Sequence, residues 1–212
     1  MKTALVVGAT GLIGSQLVKL LSEDKDFGKV IVLSRRPLTV PEKCENVVVN
    51  FDSLSESYEV IKADVVFCCL GTTIRVARTK EAFRKVDYDY PVEVAKLAKA
   101  NGAVTYLLVS ALGADKGSSV FYNKVKGEVE EAIQQLNYEM FHIFRPSLLL
   151  GDRHESRSGE DAAKVFFKFF GFLVPKKYKA IESLKVAKAM LHFAKQVERG
   201  TFKHESSDLQ KF

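Results

Sequence analysis

Short runs of consecutive apolar residues alternate along this chain with stretches in which apolar residues return every three or four positions. The first kind reads as buried strand, the second as amphipathic helix. Strands are predicted at residues 3–7, 30–33, 47–49, 65–70, 104–109 and 140–144. Helices are predicted at 12–22, where Leu17, Val18, Leu20 and Leu21 share a face, and, as a short element, at 54–62. The stretch 79–100 reads as one helix carrying Val92, Val94, Ala95, Leu97 and Ala98, stopped by Asn101-Gly102. Residues 122–136 and 181–196 complete the helices. The order weakens between them: 153–161 is charged and loop-like, 162–174 is rich in Phe, and the chain end after about Lys203 is expected to be disordered.

Strand and helix alternate, and the strands are apolar throughout. That predicts an α/β fold: a doubly wound parallel sheet of Rossmann type with helices on both faces. A small C-terminal helical substrate region, a lid segment at 152–180, is expected within a single 1–212 domain. In such sheets ligands sit at the carboxyl ends of the strands, where the strand order reverses. The residues just after each strand therefore matter most.

Composition narrows the classes. A hydrophobic fraction of 47% with 27% charged residues is that of a globular protein. No run approaches the roughly 20 apolar residues that cross a bilayer, and the N-terminal run leads into glycines rather than a cleavage site. These features point to the cytoplasm. Cys44, Cys68 and Cys69 form no C-x-x-C pair, and the four histidines lack ligand spacing, so neither a disulfide framework nor a metal is expected. The net charge of +6 comes from lysines scattered along helices, which makes nucleic acid an unlikely ligand.

The chemistry starts at the first turn. Gly8, Gly11 and Gly14 follow strand 1 and open helix 1 in the pattern G-x-x-G-x-x-G. Strand, glycine turn and helix N-terminus together form a pyrophosphate cradle. Strand 2 ends in Ser34-Arg35-Arg36. An NAD site usually carries an acid there, about 20 residues past the turn, for the ribose hydroxyls. Two guanidinium groups instead favour a 2′-phosphate, so NADP(H) is expected. Asp52 is placed to bond the adenine amino group, although Asp is common after any strand. Ser110 ends strand 5, and Tyr122-x-x-x-Lys126 puts a phenol and an ammonium one turn apart on the next helix. An ammonium beside a phenol favours the phenolate, which suits the phenol to acid–base work. A second such pair, Tyr58 and Lys62, lies on the adenine half and is read as coincidence.

These residues resemble the short-chain dehydrogenase/reductase superfamily in its atypical and extended branches. The resemblance rests on the glycine turn, Ser110, Tyr122-x-x-x-Lys126 and the Arg145-Pro146 run closing at Gly151. More narrowly the chain is similar to small Tat-interacting-protein-like oxidoreductases and their bacterial relatives. Cys69-Leu70-Gly71-Thr72-Thr73, Phe83–Asp87, Val109–Asp115 and Tyr122–Glu130 carry that closer match. The resemblance implies that Gly8, Thr10, Gly11, Leu12 and Ile13 hold the pyrophosphate. It puts Ser34, Arg35 and Arg36 at the adenosine 2′-phosphate, and Leu70, Gly71 and Thr72 along the cofactor. Lys126 would bond the nicotinamide ribose, Pro146 and Leu148 would line the nicotinamide pocket, Ser110 would fix a substrate carbonyl, and Tyr122 would protonate it. Many members place an Asn on the helix after strand 4; the nearest position here is Asp87.

The expectation is an NADP(H)-dependent oxidoreductase acting on a small carbonyl or alcohol, with a protein partner or homodimerisation open. The alternative is an NADPH-binding regulator with little or no turnover. Phe166, Phe167, Phe169, Phe170 and Phe172, with Lys164 and Lys168, suit a core or lid helix, or one seated on a membrane surface.

Overall fold

The computed structural model describes residues 1–151 and 178–212. The phenylalanine run and all but the last three residues of the expected lid lie outside the described residues. In chain order, β1 (Lys2–Val7) leads into α1 (Leu12–Glu23), then β2 (Phe27–Ser34) and β3 (Cys44–Val48). A 3-10 segment (Phe51–Val60) precedes β4 (Val65–Cys68). Two short helices follow, α2 (Ile74–Ala77) and α3 (Lys80–Arg84), then a π turn (Lys85–Asp89) and α4 (Tyr90–Ala100). Next come β5 (Thr105–Val109), α5 (Phe121–Gln134) and β6 (Met140–Arg145). Beyond these lie β7 (Leu149–Leu150), β8 (Ile181–Glu182), α6 (Ser183–Phe193), β9 (Gly200–Glu205) and α7 (Ser206–Leu209).

Seven strands form one sheet in the order β3-β2-β1-β4-β5-β6-β9, every neighbouring pair parallel. β7 and β8 pair separately. The order runs outward in opposite directions from β1 and β4, which opens a crevice between their carboxyl ends. Alternation along β1 sends Leu5 and Val7 to one face and Ala4 and Val6 to the other. The first face packs on Val94 and Ala95 of α4 and Val129 and Ile133 of α5. The second packs on Leu17 and Leu21 of α1 and Val186 and Met190 of α6. Both sheet faces are thus covered, and β1, β2, β4 and β5 are buried almost without interruption.

The structure corrects four expectations. β2 is longer than predicted and includes Ser34. β3 starts three residues earlier than expected and ends one residue earlier, its register pairing Cys44 with Val30 and Val48 with Ser34. The stretch 79–100 is two helices joined by a π turn rather than one. The chain end is ordered: β9 adds to the β6 edge, and Leu209 is fully buried.

Candidate active site at the carboxyl ends of β1, β4 and β5

Gly8 turns at φ +85, a conformation that favours glycine. A Cβ there would also lie 2.5 Å from the Cys69 carbonyl. The close approach joins the ends of β1 and β4 at the crevice. At Gly14 a Cβ would fall 2.2 Å from the Gly8 carbonyl oxygen, so the third glycine lets α1 press onto the turn. Gly11 caps α1 with no side-chain hydrogen bond, and the first turn of the helix holds no acid. The helix therefore presents free N–H groups and a partial positive charge beside the exposed Thr10. Leu12 is half-buried and Ile13 buried below it. This is the geometry of an anion cradle.

On the β2 side, Arg35 and Arg36 are exposed. Ser34 is buried, donates its hydroxyl proton to the Arg36 carbonyl and accepts from Asn46 Nδ2 at 2.8 Å. Its hydroxyl shapes the arginine turn rather than facing outward. Asp52 is exposed and accepts hydrogen bonds from Tyr90 and, at 2.8 Å, from Lys85. Those partners hold its carboxyl below the usual range, Lys85 foremost. Arg35 stands near enough to act electrostatically on the Tyr90 phenol, whose proton is held mainly by burial and then by Asp52. Asp52, Tyr90 and Arg35 thus share one corner.

The β4–β5 side holds the buried ionisable groups. Lys126 Nζ lies 2.9 Å from Asp87 Oδ1, with side-chain exposures of 5% and 0%. The Thr72 N–H donates to Asp87 Oδ2 at 2.8 Å. A Cβ on Gly71 would lie 3.8 Å from Lys126 Nζ. Burial pulls the Lys126 pKa down, but the Asp87 carboxylate, with lesser help from Tyr122 and Cys68, outweighs it, and the net shift is upward. Tyr122 sits one turn before Lys126 on α5, its ring 5.6 Å from Phe83 of α3. Leu70 and Thr72 are half-buried beside them.

Ser110 is buried at the end of β5 and donates its hydroxyl proton to Glu130 of α5. Glu130 also takes Arg145 Nε at 3.0 Å and Nη2 on its second oxygen, and Arg145 reaches Glu205 of β9 at 3.2 Å. The Ser110 hydroxyl thus lies in a buried ionic network. Glu130 and Arg145 were not foreseen as a unit: Glu130 reads from sequence as one more acid on an acidic helix. Pro146 is buried and accepts the Leu112 N–H, while Leu148 is 41% exposed. Gly151 packs against Leu12, which brings the segment after β6 to the glycine turn. Tyr58 lies in the 3-10 segment, where its carbonyl accepts from Asn101. An open groove of about 460 Å³ lies at the other end of the sheet, lined by Thr3, Lys29, Glu45 and Asp64 among others; it holds neither the glycine turn nor the buried lysine.

Comparison with known proteins bears on the family and the fold. A family model described as "Semialdehyde dehydrogenase, NAD binding domain" matches residues 3–92. Protein HTATIP2 of Rattus norvegicus is 43% identical over 171 residues, 78% of this chain and 70% of that protein. Protein FMP52, mitochondrial, of Debaryomyces hansenii is 37% identical over 204 residues, 92% of this chain and 88% of that one. MoeE5 in complex with UDP-glucose and NAD superposes with a TM-score of 0.74 at 16% identity, covering 95% of this chain and 74% of that chain. A short chain dehydrogenase family protein from Francisella tularensis gives 0.69 at 14% identity, covering 98% of both chains. At such identities the superpositions show the fold alone. The yeast relatives are named as mitochondrial, which overturns the cytoplasmic location expected from the sequence. Among the described residues no helix is long and apolar enough to cross a membrane.

Proposed function

The chain belongs to the atypical short-chain dehydrogenase/reductases and has an NAD(P)-binding Rossmann-type fold, and on that premise we propose that it is an NADP(H)-dependent oxidoreductase of small carbonyls or alcohols. The observation that carries the proposal is the buried Lys126 beside Tyr122, at the carboxyl end of the sheet and across the crevice from a glycine turn with free N–H groups. When bound, the nicotinamide supplies or accepts the hydride.

The chain's own residues do the rest. Leu12 and Ile13 hold the pyrophosphate on the free backbone N–H groups of the helix start, and Gly8, Thr10 and Gly11, whose own N–H closes the turn on the Gly8 carbonyl, shape the cradle around it. Arg35 and Arg36 take the 2′-phosphate, and Asp52 with Tyr90 borders the adenine. Lys126 bonds the nicotinamide ribose under Gly71 and Thr72, and Pro146 and Leu148 line the far side. Tyr122 gives its proton to the carbonyl oxygen in reduction and takes it back in oxidation. Ser110, assigned the substrate carbonyl by the sequence, has its own proton on Glu130 and offers lone pairs, so the proton at the reacting oxygen comes from Tyr122. A regulator without turnover is not favoured, because binding a dinucleotide gives no reason to keep a phenol beside the lysine.

The test is a panel of aldehydes and ketones with NADPH. Tyr122→Phe lowers kcat/KM by roughly 100-fold or more while NADPH binds within about threefold of wild type. Turnover untouched by the substitution contradicts the assignment.

A further inference from the structure

The Ser110 hydroxyl has one proton and two lone pairs, and its surroundings decide which of them a ligand meets. Its partner Glu130 is buried on α5, where Tyr122, Lys126 and Glu130 follow one another at four-residue steps along one side of the helix. Arg145 grips both Glu130 oxygens, Nε on Oε1 at 3.0 Å and Nη2 on Oε2. Glu205 of β9 steadies the same guanidinium through Nη1 at 3.2 Å. A guanidinium is always charged, and the carboxylate in its fork is ionised and can accept but not donate. The hydrogen bond between Ser110 Oγ and Glu130 Oε1 therefore runs one way, with the serine as donor. Among the described residues nothing donates back to Ser110 Oγ. Its proton is committed and its lone pairs are open.

We infer that Ser110 acts on the substrate as a hydrogen-bond acceptor, and that the substrate carries a hydroxyl on the carbon next to its carbonyl: a 2-hydroxy aldehyde or ketone, reduced to a 1,2-diol. The inference rests on the proposed oxidoreductase reading of this crevice and deepens it. A carbonyl oxygen set against Ser110 meets lone pair with lone pair, whereas Tyr122 has a proton to give. The two residues thus sort the two oxygens of such a substrate. Tyr122 takes the carbonyl oxygen, and Ser110 takes the neighbouring O–H. In reduction the carbonyl carbon gains hydride from the reduced nicotinamide and its oxygen gains the Tyr122 proton. The second hydroxyl keeps its own proton throughout, donated to Ser110 Oγ. A ketone without that hydroxyl leaves a buried acceptor unpaired, which is how a site built to bond a hydroxyl rejects the analogue lacking it.

Two measurements on the full-length protein test this. The first needs neither cofactor nor substrate. Serine is labelled with 13C at Cβ, the Ser110 signal is assigned by its loss in Ser110→Ala, and the protein is placed in equal parts of H2O and D2O. A hydroxyl proton held on a buried carboxylate exchanges slowly, so the Ser110 line is split by the isotope. A single averaged line shows a free hydroxyl and overturns the inference. The second compares reduction by NADPH of hydroxyacetone, butanone and methoxyacetone. Butanone matches hydroxyacetone in size, and methoxyacetone keeps its electron-withdrawing oxygen without the donor. Wild type is expected to favour hydroxyacetone over both by roughly tenfold or more in kcat/KM, and Ser110→Ala to bring the three within about threefold of one another. Ketones reduced without that preference, or a preference untouched by Ser110→Ala, overturn the inference and leave the oxidoreductase reading standing. If none of the three is reduced, the reading as an oxidoreductase of small carbonyls fails, and the serine line still decides whether Ser110 is an acceptor.

Discussion

At the residue scale the glycine turn divides its labour. Gly8 and Gly14 are demanded by the fold, one by a positive φ and a neighbouring strand, the other by the Gly8 carbonyl. Gly11 has ordinary backbone angles, and a Cβ there would meet the Gly8 oxygen at 3.3 Å and the Cys69 oxygen at 4.0 Å. Alanine should therefore separate folding from binding. Gly8→Ala is expected to cost about 2 kcal/mol or more by backbone strain and overlap. Gly11→Ala is expected to melt within about 1 kcal/mol of wild type yet weaken NADPH at least about tenfold, because its methyl enters the phosphate space. Equal melting losses, or unchanged NADPH affinity in Gly11→Ala, would contradict this division. Tyr122 and Lys126 were legible because their spacing and their place after the fifth strand both marked them. The bonding of Ser110 to Glu130 was not. It joins residues 20 apart through a carboxylate whose partner, Arg145, sits on another strand.

At the element scale the sequence read best where apolar residues are continuous, as in β1, β4 and β5. It read worst where burial is one-sided. β9 carries Phe202 and His204 toward the core and Thr201 and Lys203 outward, too little apolar text to announce a strand. The break between α3 and α4 was hidden because a π turn keeps helical spacing on either side of its extra residue. The new edge also has a pH-sensitive seam. His142 of β6 meets His204 of β9, Nδ1 to Nε2 at 3.0 Å, among Phe193, Phe202 and Phe144. Burial holds both rings down at about 4; His204 adds to this on His142, and Asp208 opposes it on His204. Both rings are then neutral in the fold, while the unfolded chain takes up their protons below about pH 6.5. Their contribution is full above about pH 6.5 and is lost as pH falls toward about 4, so Tm should drop by about 5 °C or more across that range. The slope should shrink in His142→Phe/His204→Phe; an identical slope in that variant would show that other groups set the acid limit.

At the scale of the whole molecule, the seven parallel strands bring their carboxyl ends to one edge of the sheet, where the proposed dinucleotide would lay its adenosine half at β2 and its nicotinamide half at β4 and β5. That proposed division was drawn from the residues after each strand, before any contact was known. What could not be read was how the halves are wired. The adenosine half is exposed and hydrogen-bonded at the surface, through Asp52, Lys85 and Tyr90. The nicotinamide half rests on two buried ionic networks, Asp87–Lys126 and Glu130–Arg145. On the proposed function, cofactor choice belongs to the exposed half and proton handling to the buried one. The most direct measurement follows nicotinamide fluorescence while NADPH and NADH are titrated into wild type and into Arg35→Ser/Arg36→Ser. The account predicts NADPH bound at least about tenfold tighter by wild type and the preference abolished in the variant. Equal affinities in wild type, or tighter NADH, would contradict it.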